Sequence, residues 1–261
     1  MIYTNDLKLD SPIIFDSHSH YDDERFNDMG DELFRELKST VCGIVTCGCD
    51  EMSSRAALSL AEKHDFVYAA VGIHPESIGS GTTTEQIENL AKHKKCVAIG
   101  EVGLDYYWLS ETKERQIEVF ESMIMLAKRL DLPVIVHDRD AHGDTLEILK
   151  RHKPKGVVHC FSGSVEMAEE IIKLGMYIGV GGVITFKNAK KLPDVVRIIP
   201  DELLLVETDC PYLAPEPYRG KLCHSGMIKL TAQKIAEIRE STTEEILKLT
   251  AKNAKKLFNI I

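Results

Sequence analysis

The chain has 261 residues, 44% hydrophobic and 28% charged, and its 32 basic and 41 acidic residues leave a formal charge of −9. That is enough for one full-sized core, and it excludes disordered, collagen-like and low-complexity classes. The acidic balance also argues against a sequence-reading DNA-binding module, because the global field repels phosphates; nucleic acid would have to be held by local cations or metal ions.

In chain order, a strand-like run at Ile13–His20 is followed by others at Val41–Gly48 and Phe66–His74. A helical pattern at Thr84–His93 leads to a strand-like run at Cys96–Leu104. Glu111–Leu130 then repeats apolar residues at spacings of three and four (Ile117, Phe120, Met123, Ile124, Ala127, Leu130), the mark of an amphipathic helix. Strand-like runs at Pro133–His137, Gly156–Cys160, Gly175–Gly181 and Leu203–Asp209 alternate with helical patterns at Asp140–His152, Ser164–Leu174 and Lys187–Ile199. Two helical stretches near 225–240 and 242–257 close the chain, the second opened by Ser241-Thr-Thr-Glu244, which has the form of a capping box. The strand runs are almost continuously apolar, as strands buried on both faces in a parallel sheet should be.

Eight such strands alternating with helices, without a Pro/Gly/Ser-rich linker or strong repeat, predict a single-domain α/β fold, a (β/α)8 TIM-type barrel over residues 13–261. Residues 1–12 are left as an N-terminal extension. A doubly wound open sheet is the competitor, but it would normally carry a Gly-rich phosphate loop where this chain has His18-Ser-His20. No apolar run reaches the roughly 18 residues of a membrane helix, and the opening MIYTNDLKLDSPIIF has no signal-peptide pattern. Seven cysteines, at 42, 47, 49, 96, 160, 210 and 223, suit reduced thiols in a chain too large to need disulfides. The expectation is a cytoplasmic monomer with no membrane association and no obligate protein partner.

In a barrel, chemistry collects at the C-terminal ends of the strands. His18 and His20, two apart on one strand, share a face, and Glu101, His137, His159 and Asp209 stand at or near later strand ends. Burying so many polar groups without compensation would be costly. Four imidazoles and two carboxylates without a thiolate suit two divalent ions with open positions rather than a closed structural zinc site. Such ions activate water, so metal-assisted hydrolysis is the expected reaction class. His74, Arg139, Lys187, Arg219 and Lys221 follow strands and are candidate phosphate contacts at the mouth. Tyr106, Tyr107, Trp108, Tyr212 and Tyr218 are candidates either for base stacking or for packing. Asp16 and Glu207, two residues before His18 and Asp209, would hold the outer N–H of a ligand imidazole or enter a buried ion pair. Cys160 and Cys210, next in sequence to His159 and Asp209, are expected to point away and pack.

Seven segments together, FDSHSHYDD, VGIHPE, AIGEVGLDYY, PVIVHDRDA, HCFSGS, GGVITFKNAK and LLVETDCPYLAPEPYRGK, resemble the TatD-type metal-dependent deoxyribonucleases of the amidohydrolase superfamily, in order, from about Ile14 to Phe258. The resemblance implies two divalent ions (Mg, Mn or Zn), one held by His18, His20, Glu101 and Asp209 and the other by Glu101, His137 and His159. It implies Glu101 and Asp209 as the catalytic carboxylates, Asp209 orienting or deprotonating the attacking water. It also implies DNA as substrate, cleaved at phosphodiester bonds, often from the 3′ end. One departure stands out: after Arg219-Gly-Lys the family usually continues with an Asn-Glu-Pro-like segment, where this chain has Leu222-Cys223-His224-Ser225-Gly226. The alternatives are a hydrolase of a C–N or ester bond in a small metabolite or aminoacyl-tRNA, and a non-catalytic metal-binding scaffold, against which the open metal positions argue.

Overall fold

The computed structural model describes residues 11–108 and 112–260. Eight strands form one parallel sheet in sequence order: β1 Ile14–Ser19, β2 Val41–Cys47, β3 Val67–Val71, β4 Cys96–Asp105, β5 Val134–Arg139, β6 Gly156–Val158, β7 Tyr177–Val180 and β8 Leu204–Val206. The ring is brought round by a parallel bridge between Ser19 and Cys210, beside which the His20 N–H donates to the Cys210 carbonyl at 2.7 Å and the Asp209 N–H to that of His18 at 3.1 Å. The helices are α1 Gly30–Leu37, α2 Glu51–Lys63, α3 Thr84–Ala91, α4 Lys113–Leu130, α5 His142–His152, α6 Val165–Lys173, α7 Leu192–Ile198, α8 Ile228–Arg239 and α9 Thr243–Leu257. The fold is therefore the (β/α)8 barrel that the alternation of patterns predicts. Of the expected extension 1–12, residues 1–10 lie outside the described residues.

Several boundaries differ in an informative way. β3, β6 and β8 stop short of His74, His159 and Asp209, so these residues sit just beyond the ladder rather than in it. Cys160 and Asp209 adopt left-handed backbone conformations (φ 42° and 58°), which cannot continue a strand. α7 begins at Leu192, not near Lys187, because Pro193 is tolerated only in the first turn. The box that opens α9 is shifted by one residue, with Thr242 as cap and Glu245 reaching back. α1 and α2 are additions that the periodicity did not single out.

Apolar packing divides into two shells. The larger lies between the strands and the surrounding helices. The smaller fills the barrel floor with Phe15, Val45, Ala70, Ala98, Ile135, Val157 and Leu205, and α9 covers it with Ala251, Ala254 and Phe258.

Candidate metal centre

The sequence-predicted ligands converge at the C-terminal mouth. His18 Nε2 lies 3.0 Å from His20 Nε2, and both lie 3.3–3.5 Å from Glu101 Oε2 and Asp209 Oδ1. The other carboxylate oxygen of Glu101, Oε1, is 2.7 Å from His159 Nε2 and 2.9 Å from His137 Nδ1, which are 3.4 Å from each other. Four ligands at about 2.1 Å around one ion have mutual separations of roughly 3.4 Å. The first group has those separations, and Glu101 spans both groups with its two oxygens. A single imidazole proton would satisfy one of these contacts, whereas a divalent ion satisfies a whole group at once. On donor chemistry and spacing, the residues fit divalent metal ions.

Outer contacts fix the rings. His20 Nδ1–H donates to the Cys47 carbonyl at 3.0 Å, so its Nε2 keeps a lone pair toward the centre. His18 Nδ1 contacts the Cys47 thiol at 3.4 Å. His137 Nε2 meets Asp105 Oδ2 at 3.1 Å, and the other oxygen of Asp105 accepts the backbone N–H groups of Tyr107 and Trp108. Sequence reading missed Asp105, although it lies four residues after Glu101 on the same strand. Cys49 was missed too: its sulfur, a His20 ring nitrogen and a Glu101 oxygen all fall within 4.8 Å of one another. Cys210, by contrast, is buried in the core as expected.

Asp16 does not hold an imidazole. It accepts from Thr208 N–H (3.0 Å), Thr208 Oγ1 (2.6 Å), Ser225 Oγ (2.7 Å) and the His18 backbone N–H (3.3 Å), and so fastens β1 to the segment that carries Asp209. The reason is geometric: Asp16 lies deeper than the ring layer, beside the strand that closes the barrel. Glu207 accepts from the Cys160 backbone N–H and from Ser17 Oγ, and stands 3.6 Å from His159 Nδ1, beyond hydrogen-bonding reach.

Electrostatically the ligands sustain one another. Burial would raise the Glu101 carboxyl, but the imidazoles of His159, His74 and His18 outweigh this and hold it well below its ordinary value. Burial likewise opposes ionisation of Asp209, and His18 and His20 reverse that. Burial would lower His137, yet Asp105 and Glu101 push it up to about 9. His74 goes the other way, to about 3, mainly through burial. Its Nδ1 accepts the Glu76 backbone N–H at 3.2 Å, so the hydrogen resides on Nε2, which lies 3.6 Å from Glu101 Oε1. His74 thus sits among the donors rather than at the rim.

Around the mouth, Arg139 lies over the rings of Tyr107 (4.2 Å) and Trp108 (5.5 Å), and Arg219 over Phe186 (4.5 Å). Lys187 and Lys221 are exposed. Among the described residues none of these four cations pairs with a carboxylate, whereas Arg25, Arg55, Arg115, Arg129, Arg151, Arg197 and Arg239 all do. Of the aromatic candidates, Tyr107, Trp108 and Tyr212 are exposed. Tyr106 instead donates to Asp144 at 2.7 Å, and Tyr218 packs on the core.

A parallel barrel with imidazoles and carboxylates gathered at the C-terminal mouth is the architecture of metal-dependent hydrolases. The family model described as "TatD related DNase" matches residues 15–259, and the chain belongs to that family. It is 44% identical over 256 residues to the uncharacterised metal-dependent hydrolase YabD of Bacillus subtilis, covering 95% of this chain and all of the relative. It is 37% identical over 254 residues to YcfH of Escherichia coli, likewise described as an uncharacterised metal-dependent hydrolase, covering 95% and 96% of the two chains. The crystal structure of YjjV, a TatD homolog from Escherichia coli, superposes with a TM-score of 0.88 at 34% identity, covering 95% of this chain and 99% of that one. No helix among the described residues is long and apolar enough to cross a membrane.

Proposed function

We propose that the protein hydrolyses DNA phosphodiester bonds with two divalent ions at its mouth, removing nucleotides from the 3′ end of a strand. The observation that carries this reading is the set of rim cations without carboxylate partners, Arg139, Lys187, Arg219 and Lys221, on a chain of net charge −9 in which arginines are otherwise mostly paired. An anionic substrate is what such cations suit.

His18, His20, Asp209 and one Glu101 oxygen would hold one ion; His137, His159 and the other Glu101 oxygen would hold the second. Bound there, the ions supply a low-pKa water and neutralise charge on the attacking and leaving oxygens. Asp209 has the most open carboxylate of the set, with 19% of its side chain exposed against 4% for Glu101, so it faces the approaching substrate. From there it accepts or steers the proton of the attacking water. His74, neutral and carrying its hydrogen on Nε2, donates to a phosphate oxygen. Arg139 and Arg219 grip flanking phosphates, and Tyr107, Trp108 and Tyr212 offer faces on which bases stack. Asp16, through Thr208, keeps the His18 and Asp209 segments in register.

The test is cleavage of end-labelled single-stranded DNA by metal-stripped protein with Mg, Mn or Zn restored separately, beside Arg139→Glu and Arg219→Glu. Metal-dependent shortening from the 3′ end, weakened by both reversals, is expected. With four rim cations, log affinity should fall with log salt at a slope no steeper than about −3. Cleavage of a neutral ester or amide that survives both reversals, with DNA left intact, would assign the site to a carbon-centred hydrolase instead.

A further inference from the structure

We propose that Cys49 is a further metal ligand, giving the ion on the β1 side of the centre a thiolate donor and selecting zinc-class ions over magnesium there. The inference rests on the metal-centre reading above and adds a soft donor to a set otherwise made of imidazole and carboxylate.

The end of β2 and the bend after it bring two thiols, at 47 and 49, alongside the two imidazoles at 18 and 20 at the end of β1. Their sulfurs are not equivalent. Cys47 Sγ sits behind His18, 3.4 Å from its outer nitrogen Nδ1, so it fixes the ring and does not face the centre. Cys49 lies past the end of β2, and its sulfur shares one small volume with a His20 ring nitrogen and a Glu101 oxygen. The backbone that carries it is held on several sides. The Gly48 carbonyl accepts the Glu101 N–H at 2.9 Å, the Cys49 carbonyl accepts the His74 N–H at 2.9 Å, and the Cys49 N–H donates to Ser53 Oγ at 2.8 Å. At Gly48 a Cβ would come within 2.3 Å of Ser54, so the start of α2 packs directly on this bend and leaves it no room to swing. The separation of His18 Nε2 from His20 Nε2 points independently to a cation beside His20. On binding, the S–H bond breaks, its proton passes to solvent, and the sulfur lone pair forms the bond to the ion. Thiolate favours zinc and cobalt; carboxylate and water favour magnesium.

The experiment titrates cobalt(II), a coloured stand-in for zinc, into metal-stripped full-length protein. The wild type and Cys47→Ser should show a near-ultraviolet thiolate-to-cobalt charge-transfer band. Cys49→Ser should lose that band while keeping the weaker visible bands of cobalt on nitrogen and oxygen ligands. Zinc affinity should fall at least about 10-fold in Cys49→Ser, since losing even an outer partner of a metal ligand typically costs about 10- to 100-fold, with magnesium affinity nearly unchanged. A second readout needs no variant: zinc, and not magnesium, should block alkylation of Cys49 by iodoacetamide. Visible bands without a charge-transfer band in the wild type, a band retained in Cys49→Ser, or alkylation indifferent to zinc would each overturn the proposal and leave the metal centre standing. Failure of the wild type to take up any cobalt would overturn both.

Discussion

At the floor of the barrel Phe15, Ala98, Ile135, Val157 and Leu205 pack against one another, with Phe258 of α9 stacked on Phe15 at 6.3 Å. At the mouth, a few residues further along the same strands, stand His18, Glu101, His137, His159 and Glu207. On β5, β6 and the continuation of β8 the step from floor to mouth is two residues, about 7 Å of chain. The two layers are buried to similar extents and stabilise the fold in opposite ways. Apolar burial at the floor contributes roughly 25 cal/mol per Å². The mouth desolvates ionisable groups, a cost that only a cation or a proton among them offsets. The floor should therefore govern stability, and the mouth should govern activity and respond to metal.

The largest effect should come at the mouth. Asp209→Asn is expected to lower the rate roughly 10,000-fold, the upper range for loss of a proton-handling group, while far-ultraviolet circular dichroism stays native. A comparable loss of fold would show that the mouth is structural after all. Phe258→Ala should do the reverse, costing about 3–5 kcal/mol in urea unfolding, with the rate per folded molecule little changed.

His224 sharpens the contrast, because it is buried without either kind of compensation. Neither of its ring nitrogens has a hydrogen-bond partner among the described residues, and burial, aided by Lys229, lowers it to about 4. Between the unfolded value near 6.5 and about 4, the unfolded chain binds the extra proton, so stability rises with pH across that window. Acidifying from 6.5 to 4 should cost about 3 kcal/mol through this residue. His224→Phe should flatten the curve; His74, lowered to about 3, leaves a residual slope. An unchanged profile would mean that His224 is hydrated.

The smallest effect is that of a single ion on stability. At 100 times its dissociation constant each ion should add about 2.7 kcal/mol, removed by a chelator and equal in Phe258→Ala and wild type. Without metal, His18 and His20 hold protons well above the ordinary imidazole value, and His137 up to about 9. Metal must displace those protons, so the stabilisation should grow from pH 6 to pH 8. Calorimetric scans at both pH values would check the sign.

Much of this was legible because it is local. The apolar runs predicted eight strands, and side-chain alternation placed His18 and His20 on one face. α1 escaped because it starts at Gly30 with no side-chain cap, whereas the equally short α3 has a capping box of Thr83 and Gln86. α2 escaped because its buried face is largely small, Ser54, Ala57 and Ala61 around one Leu58, and its cap pairs Asp50 with Ser53 instead of a threonine with a glutamate. Asp105 was hidden because the strand-like run was ended at Leu104, whereas β4 runs one residue further, to Asp105. The Asp16 contacts join residues about 190–210 positions apart, and no local period encodes them.

The sequence by itself determined the order of the eight strands and of the helices from α3 onward, the apolar runs of the strands, and six residues fit to bind metal at strand ends. Only the tertiary structure decided that His74 lies among the donors, that Asp16 fastens strands instead of orienting a ring, and that the Cys49 sulfur lies close to His20 and Glu101. The physical reason is that side-chain direction within an element follows from backbone geometry over a few residues. Which groups meet across the barrel depends instead on register and closure, set by all eight strands together.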